Sequence, residues 1–304
     1  MEKIMSESLN FAAFIMTYQR EFTLEATINA LLNQSYPPQK ILIVDNDPAR
    51  SAAILVSKFP NNSIDYFAVG YNSGPAGAAK KGLEILSAEG YKWIAWMDDD
   101  DPPIFEDTFS ILLKIALANK KCGCVGNVGQ YFNKKTGLMI RVPDYQLEGK
   151  GIFEIDTIAG NMCKIINADV CLKAKVYPDE SLFFGFEELD FDLRLQHAGY
   201  TLLVDKELYK RHRLYWNRIE FTIKKGVKKD LNRLKRDYYS IRNSLIIIKK
   251  HKLFTAFFFT LFRTLLKIIR GFRYGIGYGY KNAKFIIYAL FHFFVGKKGL
   301  VSIE

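Results

Sequence analysis

Over the first hundred residues, short apolar runs alternate with stretches whose apolar positions recur every three or four residues. Phe11-Ala-Ala-Phe-Ile-Met16 predicts a first strand, ending at Thr17-Tyr18-Gln19-Arg20. Leu24, Ile28, Leu31 and Leu32 then fall at helical spacing, with Thr23 as the expected N-cap of a helix through Asn33. Gln34-Ser-Tyr-Pro-Pro38 breaks that helix, and Ile41-Leu-Ile-Val44 predicts a second strand ending in Asp45-Asn46-Asp47. A helix near Ala49 to Phe59 and a strand over Ile64 to Val69 follow. The loop Asn72-Ser-Gly-Pro-Ala-Gly77 opens a helix through Ala88, and Trp93-Ile-Ala-Trp-Met97 predicts a fourth strand. Strands alternating with helices are the signature of βαβ units, so the expected class is α/β with a mostly parallel central sheet.

Beyond residue 105 the pattern predicts a helix over Phe105 to Ala118, a strand over Cys124 to Phe132 and a polar turn from Asn133 to Gly137. Residues 138–182 show no clean period. Phe183-Phe-Gly-Phe-Glu-Glu-Leu-Asp-Phe-Asp-Leu-Arg194 leads into a helix that Gly199 closes. After residue 220 the chain turns helical, basic and aromatic. Leu253 to Ile269 and Phe285 to Val295 are apolar runs, but neither makes a clean span of about 20 residues. Arg263, Lys267 and Arg270 share one helical face with Phe and Leu on the others, the pattern of a helix lying in a membrane interface. The competing expectation is that these helices pack their apolar faces on the rest of the protein.

Charge sharpens this division. The chain of 304 residues carries +11 overall, yet residues 206–304 hold 24 Lys and Arg against 5 Asp and Glu, a net of +19, while the preceding residues net −8. A cationic third predicts a polyanionic partner, and its many aromatic residues suit an anionic membrane surface better than nucleic acid. The expected organisation is a catalytic domain over 1–215 and a basic helical membrane-associating region over 216–304. Cys122, Cys124, Cys163 and Cys171 lack paired CxxC spacing and predict free thiols rather than a disulfide framework. Met1 to Asn10 has no apolar leader core, which places the expected site of action in the cytoplasm.

Asp98-Asp-Asp-Asp101 carries the candidate chemistry. Four like charges repel, and here they follow an apolar strand instead of lying in a tail. Acids at the C-terminal end of such a strand point into the crevice where open α/β sheets bind ligands. A hard divalent cation, Mn²⁺ or Mg²⁺, relieves that crowding. The bland alternative is an acidic loop capping the next helix, with Asp101 before Pro102. Three loops should converge beside these acids: Thr17 to Arg20, including Tyr18; Asp45 to Asp47, including Asn46; and Asn72 to Gly77. There Asp45 can accept from a base or ribose, and Gly74 and Gly77 can let backbone amides approach a phosphate. A second acidic cluster, Glu187, Glu188, Asp190 and Asp192, offers a general base, although Asp190 and Arg194 at i, i+4 can simply pair. His212, between two arginines, is a candidate third metal ligand or a plain surface residue.

In order and spacing these pieces resemble a family 2 glycosyltransferase of the GT-A fold over roughly residues 10–215. Asp237-Tyr-Tyr-Ser-Ile-Arg-Asn243 further resembles the rhamnosyltransferase and galactofuranosyltransferase branch. The resemblance implies inverting transfer of a sugar from a UDP- or dTDP-linked donor to a hydroxyl of a glycan or polyprenyl-diphosphate-linked acceptor, in cell-surface polysaccharide synthesis. Together with the missing leader it implies the inner face of a bacterial membrane. It implies Asp98 and Asp100 as metal ligands, with His212 completing the set, and Asp99 as a donor contact. Thr17, Asp45 and Asn72 match positions that contact nucleotide and sugar. The base falls on the Glu187-Glu188 pair, with Glu188 favoured over Glu187 or Asp190. Two rival readings remain. A metal-dependent phosphatase or nuclease would need more Asp and His at other strand ends than a chain with four histidines offers. A non-catalytic protein binding membrane or nucleic acid would keep the same motifs as a degenerate site.

Overall fold

The apolar runs that are too short for helices become the strands of one central sheet. The structure is a computed structural model and describes residues 10–59, 63–160, 162–220 and 228–302. The reading of the amino terminus therefore falls largely outside the described residues. In chain order the first half comprises β1 (Phe11–Thr17), α1 (Glu21–Leu32), β2 (Lys40–Asp45), α2 (Ala53–Val56), β3 (Ile64–Ala68), α3 (Gly74–Ala88), β4 (Trp93–Asp98) and α4 (Thr108–Ala118). Next come β5 (Cys122–Gly126), β6 (Gly129–Asn133), β7 (Leu138–Arg141), β8 (Ile152–Glu154), β9 (Thr157–Ile158), β10 (Lys164–Asn167), α5 (Ala168–Leu172), α6 (Glu187–His197), β11 (Thr201–Asp205) and α7 (Lys206–Tyr215). Three helices complete the chain: α8 (Leu231–Lys250), α9 (Phe254–Gly271) and α10 (Ile276–Phe294).

The main sheet has the order β3-β2-β1-β4-β10-β5-β11-β8. β1 pairs in parallel with β2 and β4, β2 with β3, and β5 with β11, while β10 and β8 run antiparallel to their neighbours. The mostly parallel α/β expectation holds. A small second sheet, β7-β6-β9, is built from the stretch whose pattern was unreadable and from the end of the run expected as one strand over Cys124 to Phe132. That run breaks after Gly126, and β6 pairs with β7 and β9 instead.

Period-two alternation divides the core between the two faces of the sheet. Ala12, Phe14 and Met16 of β1 pack with Ile94 and Trp96 of β4 and with Ala78, Ala79 and Leu83 of α3. Phe11, Ala13 and Ile15 face the other way, with Leu24, Ile28 and Leu31 of α1 and Phe109 and Leu112 of α4. Gly82 of α3 lies so close to β1 that a Cβ there would come within 2.4 Å of the Phe14 ring.

Several local expectations are corrected. Thr23 is not an N-cap; it lies inside α1, where its hydroxyl donates to the Arg20 carbonyl at 3.1 Å. Such i→i−3 bonding is open to any Thr in a first helical turn, so Thr alone does not fix the helix start. The helix expected over Ala49 to Phe59 is reduced to the single turn of α2, because Asp45 and Asp47 hold that loop through the Ala52 and Ala49 amides. Asp101 does not cap a helix after Pro102: α4 begins only at Thr108, and Asp107 precedes it.

The C-terminal helices keep a cluster of their own, with Leu234, Tyr238, Leu245, Phe285 and Phe293, but packing also crosses the boundary expected at residue 215. Phe132, Leu182, Leu189 and Leu193 share one cluster with Ile247, Ile248 and Ala256. α9 is turned against the second sequence expectation: Ala256, Thr260 and Thr264 face inward, while Phe258 (67% exposed), Phe262 (61%) and Ile269 (69%) face out. Part of the apolar side thus points away from the protein, while Phe257 and Ile268 pack against the neighbouring helices. No helix among the described residues is long and apolar enough to cross a membrane.

An ion cluster fastens α8 to α6. Asp190 is fully buried and accepts from Arg194 Nε at 2.8 Å and Lys250 Nζ at 2.9 Å, with His251 Nε2 at 3.4 Å. Burial alone would raise this carboxyl, but the His251 hydrogen bond and the Arg194 and Lys250 charges hold it at about 2. Because the folded value lies below the unfolded one, the unfolded chain takes up the proton first as pH falls. The stabilisation is therefore complete above about pH 4 and disappears as pH falls through about 2. Asp190→Asn should cost about 2 to 3 kcal/mol at neutral pH and little near pH 2. Urea denaturation across that range checks it; equal losses at both ends would refute the assignment.

Candidate active site

The C-terminal ends of β1, β2 and β4 open onto a cavity of about 550 Å³. Alternation at the strand ends decides what faces it. Asp98 closes β4 on the face that holds Ile94 and Trp96, and Trp96 meets Phe191 of α6 edge-on at 6.0 Å. That face directs Asp98 toward the start of α6, where Glu187 and Glu188 line the same cavity. Asp99 turns the other way, toward β1 and α1. Its Oδ2 accepts from the Thr17 hydroxyl at 2.8 Å, and its carbonyl accepts from Thr27 at 2.9 Å. Asp100 also lines the cavity and pairs with Arg20, which reaches Asp99 as well.

Five carboxylates therefore share one space. Burial first, then Glu188 and Asp100, push the Asp98 carboxyl up to about 8. Glu187 is pushed well above the usual range by burial and by Glu188, and its Oε2 has no hydrogen-bond partner. Glu188 is less buried, and one of its oxygens accepts from the Gly160 amide at 3.3 Å. The arrangement carries more negative charge than its own cations offset, as a cation-binding or proton-accepting site requires.

Of the expected binding residues, Thr17, Tyr18, Arg20, Asn46, Asn72, Gly74, Asp98 and Asp99 line this cavity. Asn46 Nδ2 donates to the Gly74 carbonyl at 3.1 Å, and Asn72 Oδ1 accepts from the Gly74 amide at 3.0 Å, which fixes the loop. Gly74 has φ +70° and its absent Cβ would lie 2.2 Å from the Phe183 carbonyl, so no other residue fits there.

Four expected site residues lie elsewhere. Asp45 is fully buried, and its carboxylate already accepts from Tyr66 Oη (2.8 Å), the Asp47 amide (2.8 Å) and the Ala52 amide (3.2 Å). At the end of β2 the chain presents Asn46 to the cavity and keeps Asp45 inside. Gly77 is a packing glycine: a Cβ there would meet Ser73 Cβ at 2.5 Å. Asp190 is held in its ion cluster outside the lining. His212, on α7, is buried and not part of the lining; burial first, then Arg218, hold its imidazole down at about 4. Arg218 also acts on Asp101, which burial and Asp100 nevertheless raise to about 6. Among the described residues no three His, Cys, Asp or Glu side chains converge on a metal-sized site, so His212 is not placed as a third ligand.

Sequence reasoning missed Phe183, Phe184 and Arg236, which also line the cavity. The turn that delivers Glu187 and Glu188 is strained, with φ +63° at Phe183, +83° at Gly185 and +67° at Phe186. α8 holds it. Asn243 Nδ2 lies 2.9 Å from each of the Leu182, Phe184 and Gly185 carbonyls, and Arg242 Nη2 donates to Leu182 at 3.1 Å. Both side chains are fully buried. Tyr239 adds ring contacts to Phe183 at 5.5 Å and Phe184 at 6.1 Å. The motif Asp237 to Asn243 thus forms the back wall of the acidic turn, a role its local sequence does not disclose.

Asn243→Ala would leave buried carbonyls without their donor and should destabilise the protein by about 2 to 4 kcal/mol. Chemical denaturation measures the loss, and limited proteolysis should show new cleavage within 182–186. A cost below about 1 kcal/mol, with no new cleavage, would refute the clamp.

Comparison with known proteins agrees with this geometry. Residues 12–171, more than half of the chain, match the model of glycosyl transferase family 2. The galactofuranosyltransferase GlfT1 of Mycolicibacterium smegmatis is 32% identical over 198 residues, covering 62% of this chain and 65% of that protein. The Escherichia coli enzyme WfgD, a UDP-Glc:alpha-D-GlcNAc-diphosphoundecaprenol beta-1,3-glucosyltransferase, is 31% identical over 85 residues, 28% of this chain and 32% of WfgD. The chain thus spans less than two thirds of either relative. Among solved structures, GalNAc-T7 with UDP, GalNAc and Mn²⁺ superposes with a TM-score of 0.57 at 12% identity, over 80% of this chain and 48% of that one. S. aureus TarS in complex with UDP superposes at 0.52 and 13% identity, over 97% and 94%. At such identities the likeness concerns the fold, a GT-A fold. The chain belongs to glycosyl transferase family 2.

Proposed function

We propose that this glycosyltransferase moves a sugar from a UDP-linked donor to an acceptor hydroxyl with inversion, using Glu188 as the base. The observation that carries the reading is the shared cavity: Glu188, Asp98 and Asp100 line it together with Thr17, Asn46 and Asn72, and the Glu188 charge acts on Asp98. Glu188 accepts the proton of the attacking hydroxyl as its oxygen bonds to the anomeric carbon. The bond from that carbon to the diphosphate breaks on the opposite face, and its electron pair leaves with the diphosphate. One carboxylate suffices for such a single displacement. Glu187 is the poorer base because its burial and the neighbouring Glu188 favour the protonated form and its Oε2 has no hydrogen-bond partner. Thr17, Tyr18, Arg20, Asn46, Asn72 and Gly74 hold the donor, and Asp99 orients Thr17 and Arg20. The UDP in the names of WfgD and of the two superposed structures supports a uridine donor.

The donor set suits a hard divalent cation. Asp98 and Asp100 offer oxygen ligands in a space with excess negative charge, and Arg20 now supplies part of the balancing charge. Mg²⁺ and Mn²⁺ sites commonly use one or two carboxylates and complete the shell with water and substrate phosphate. Mn²⁺ or Mg²⁺ there would stabilise the charge that develops on the departing diphosphate.

α9 supports action at an anionic membrane surface. Its exposed side carries Phe258, Phe262 and Ile269, within a segment of the chain whose net charge is strongly positive. An apolar face that points away from the protein, within a strongly cationic stretch of chain, suits peripheral binding to anionic lipid. The diphosphoundecaprenol in the name of WfgD supports a lipid-linked acceptor at such a surface.

Glu188→Gln should abolish transfer, by at least about a thousandfold in kcat, while UDP still raises Tm. Retained turnover would exclude Glu188 as base. Asp98→Asn and Asp100→Asn should each remove the additional Tm gain that Mn²⁺ gives in the presence of UDP. For the membrane reading, replacing Phe258, Phe262 and Ile269 together by Ser should abolish flotation with vesicles containing phosphatidylglycerol without lowering Tm. Unchanged flotation would count against it.

A further inference from the structure

α8 brings a cation to the cavity that no part of the catalytic scheme uses. Arg236 is exposed, and it borders the cavity beside Phe183, Phe184, Glu187 and Glu188. Its guanidinium lies over the Phe184 ring, 5.7 Å from the centroid. The acids nearest to it along α8 are engaged elsewhere, Asp237 with Lys229 at 2.6 Å and Asp230 with Arg233 at 3.6 Å. Among the described residues no carboxylate forms an ion pair with Arg236. Arg20, the cavity's other arginine, is held by Asp99 and Asp100.

Location separates the two arginines. Arg20 follows β1 and belongs with the strand-end loops that receive the donor. Arg236 stands on the helix that grips the Leu182 to Gly185 carbonyls, one turn before the Tyr239 that packs on Phe183 and Phe184. Its helix is therefore anchored on the side of Glu187 and Glu188, the side proposed to take the attacking hydroxyl. A free guanidinium there, with two phenylalanines beside it, fits a ligand that is anionic and apolar at once. Guanidinium forks suit phosphate groups, which they bind with paired hydrogen bonds.

We infer that Arg236 binds the diphosphate of a prenyl-diphosphate-linked acceptor and so selects acceptors that carry this group. The inference rests on the glycosyltransferase reading and adds to it the residue that reads the diphosphate of the acceptor. A diphosphate also occurs in the nucleotide donor, and the experiment has to distinguish these two sources.

Geranyl diphosphate is a suitable probe because it carries the anionic head and a short prenyl chain but no sugar. Its Kd is measured by calorimetry on the full chain, with and without saturating UDP and Mn²⁺, and geraniol serves as control. The wild type should bind geranyl diphosphate with UDP and Mn²⁺ present and should not bind geraniol. R236Q should weaken that binding at least tenfold, and R236K, which keeps the charge but loses the fork, should fall between. UDP binding by each variant, read as a Tm increase, checks that the site is folded. Four results would overturn the inference: no binding by the wild type, an unchanged Kd in R236Q, equal binding of geraniol, or displacement of the probe by UDP and Mn²⁺. Failure of the wild type to bind UDP would instead sink the glycosyltransferase reading, which keeps the two outcomes apart.

Discussion

Bringing five carboxylates into one cavity is the constraint on which the rest of this architecture turns. Asp98, Asp99, Asp100, Glu187 and Glu188 come from two distant stretches of chain, and their mutual repulsion must be held by structure that does not itself titrate. β4 supplies half of that support. It is a central strand with apolar neighbours on both faces, so its end is rigid and the acids that follow cannot retreat into solvent. Alternation then gives consecutive acids different surroundings: Asp98 faces the glutamates and Asp99 meets Thr17 and Arg20, although burial raises both carboxyls.

The other half of the support comes from the C-terminal helices. The turn before α6 holds three residues at positive φ, two of them phenylalanines, and such a turn persists only where the surroundings over-determine it. Asn243 and Arg242 do so by occupying its carbonyls, and Asp190 fixes the far side of α6 to Lys250 and His251. α8, which packs beside the outward-facing α9, therefore also builds the wall of the candidate site. Any event that moves α8 relative to the sheet acts on the turn that carries Glu187 and Glu188, through hydrogen bonds of 2.9 Å to the Leu182 and Phe184 carbonyls.

Much of the amino-terminal half was legible because parallel strands, buried on both faces, must be short, apolar and bounded by turns. Phe11 to Met16, Ile41 to Val44 and Trp93 to Met97 obey that rule, and the polar residues that follow each run lie at the sheet's C-terminal edge. Legibility failed where side chains bond locally in ways a pattern does not encode. Thr23 bonds backward instead of capping, and Asp45 turns inward to Tyr66. It failed again over residues 138–182, where β8 and β10 are short and pair with strands distant in the chain, although β7 pairs with its neighbour β6.

The sequence alone determined the α/β class, the acidic strand end, the Glu187-Glu188 pair and the cationic character of the final third, because each depends only on composition and local period. Tertiary structure decided which of these residues meet. It removed Asp190 from the site, left His212 outside the cavity lining and admitted Arg236, Phe183 and Phe184 to it. It also decided that α9 turns its phenylalanines outward. The physical reason is the same throughout: which way a side chain points is set by what packs behind it, and for these residues the backing comes from elements far away in the chain.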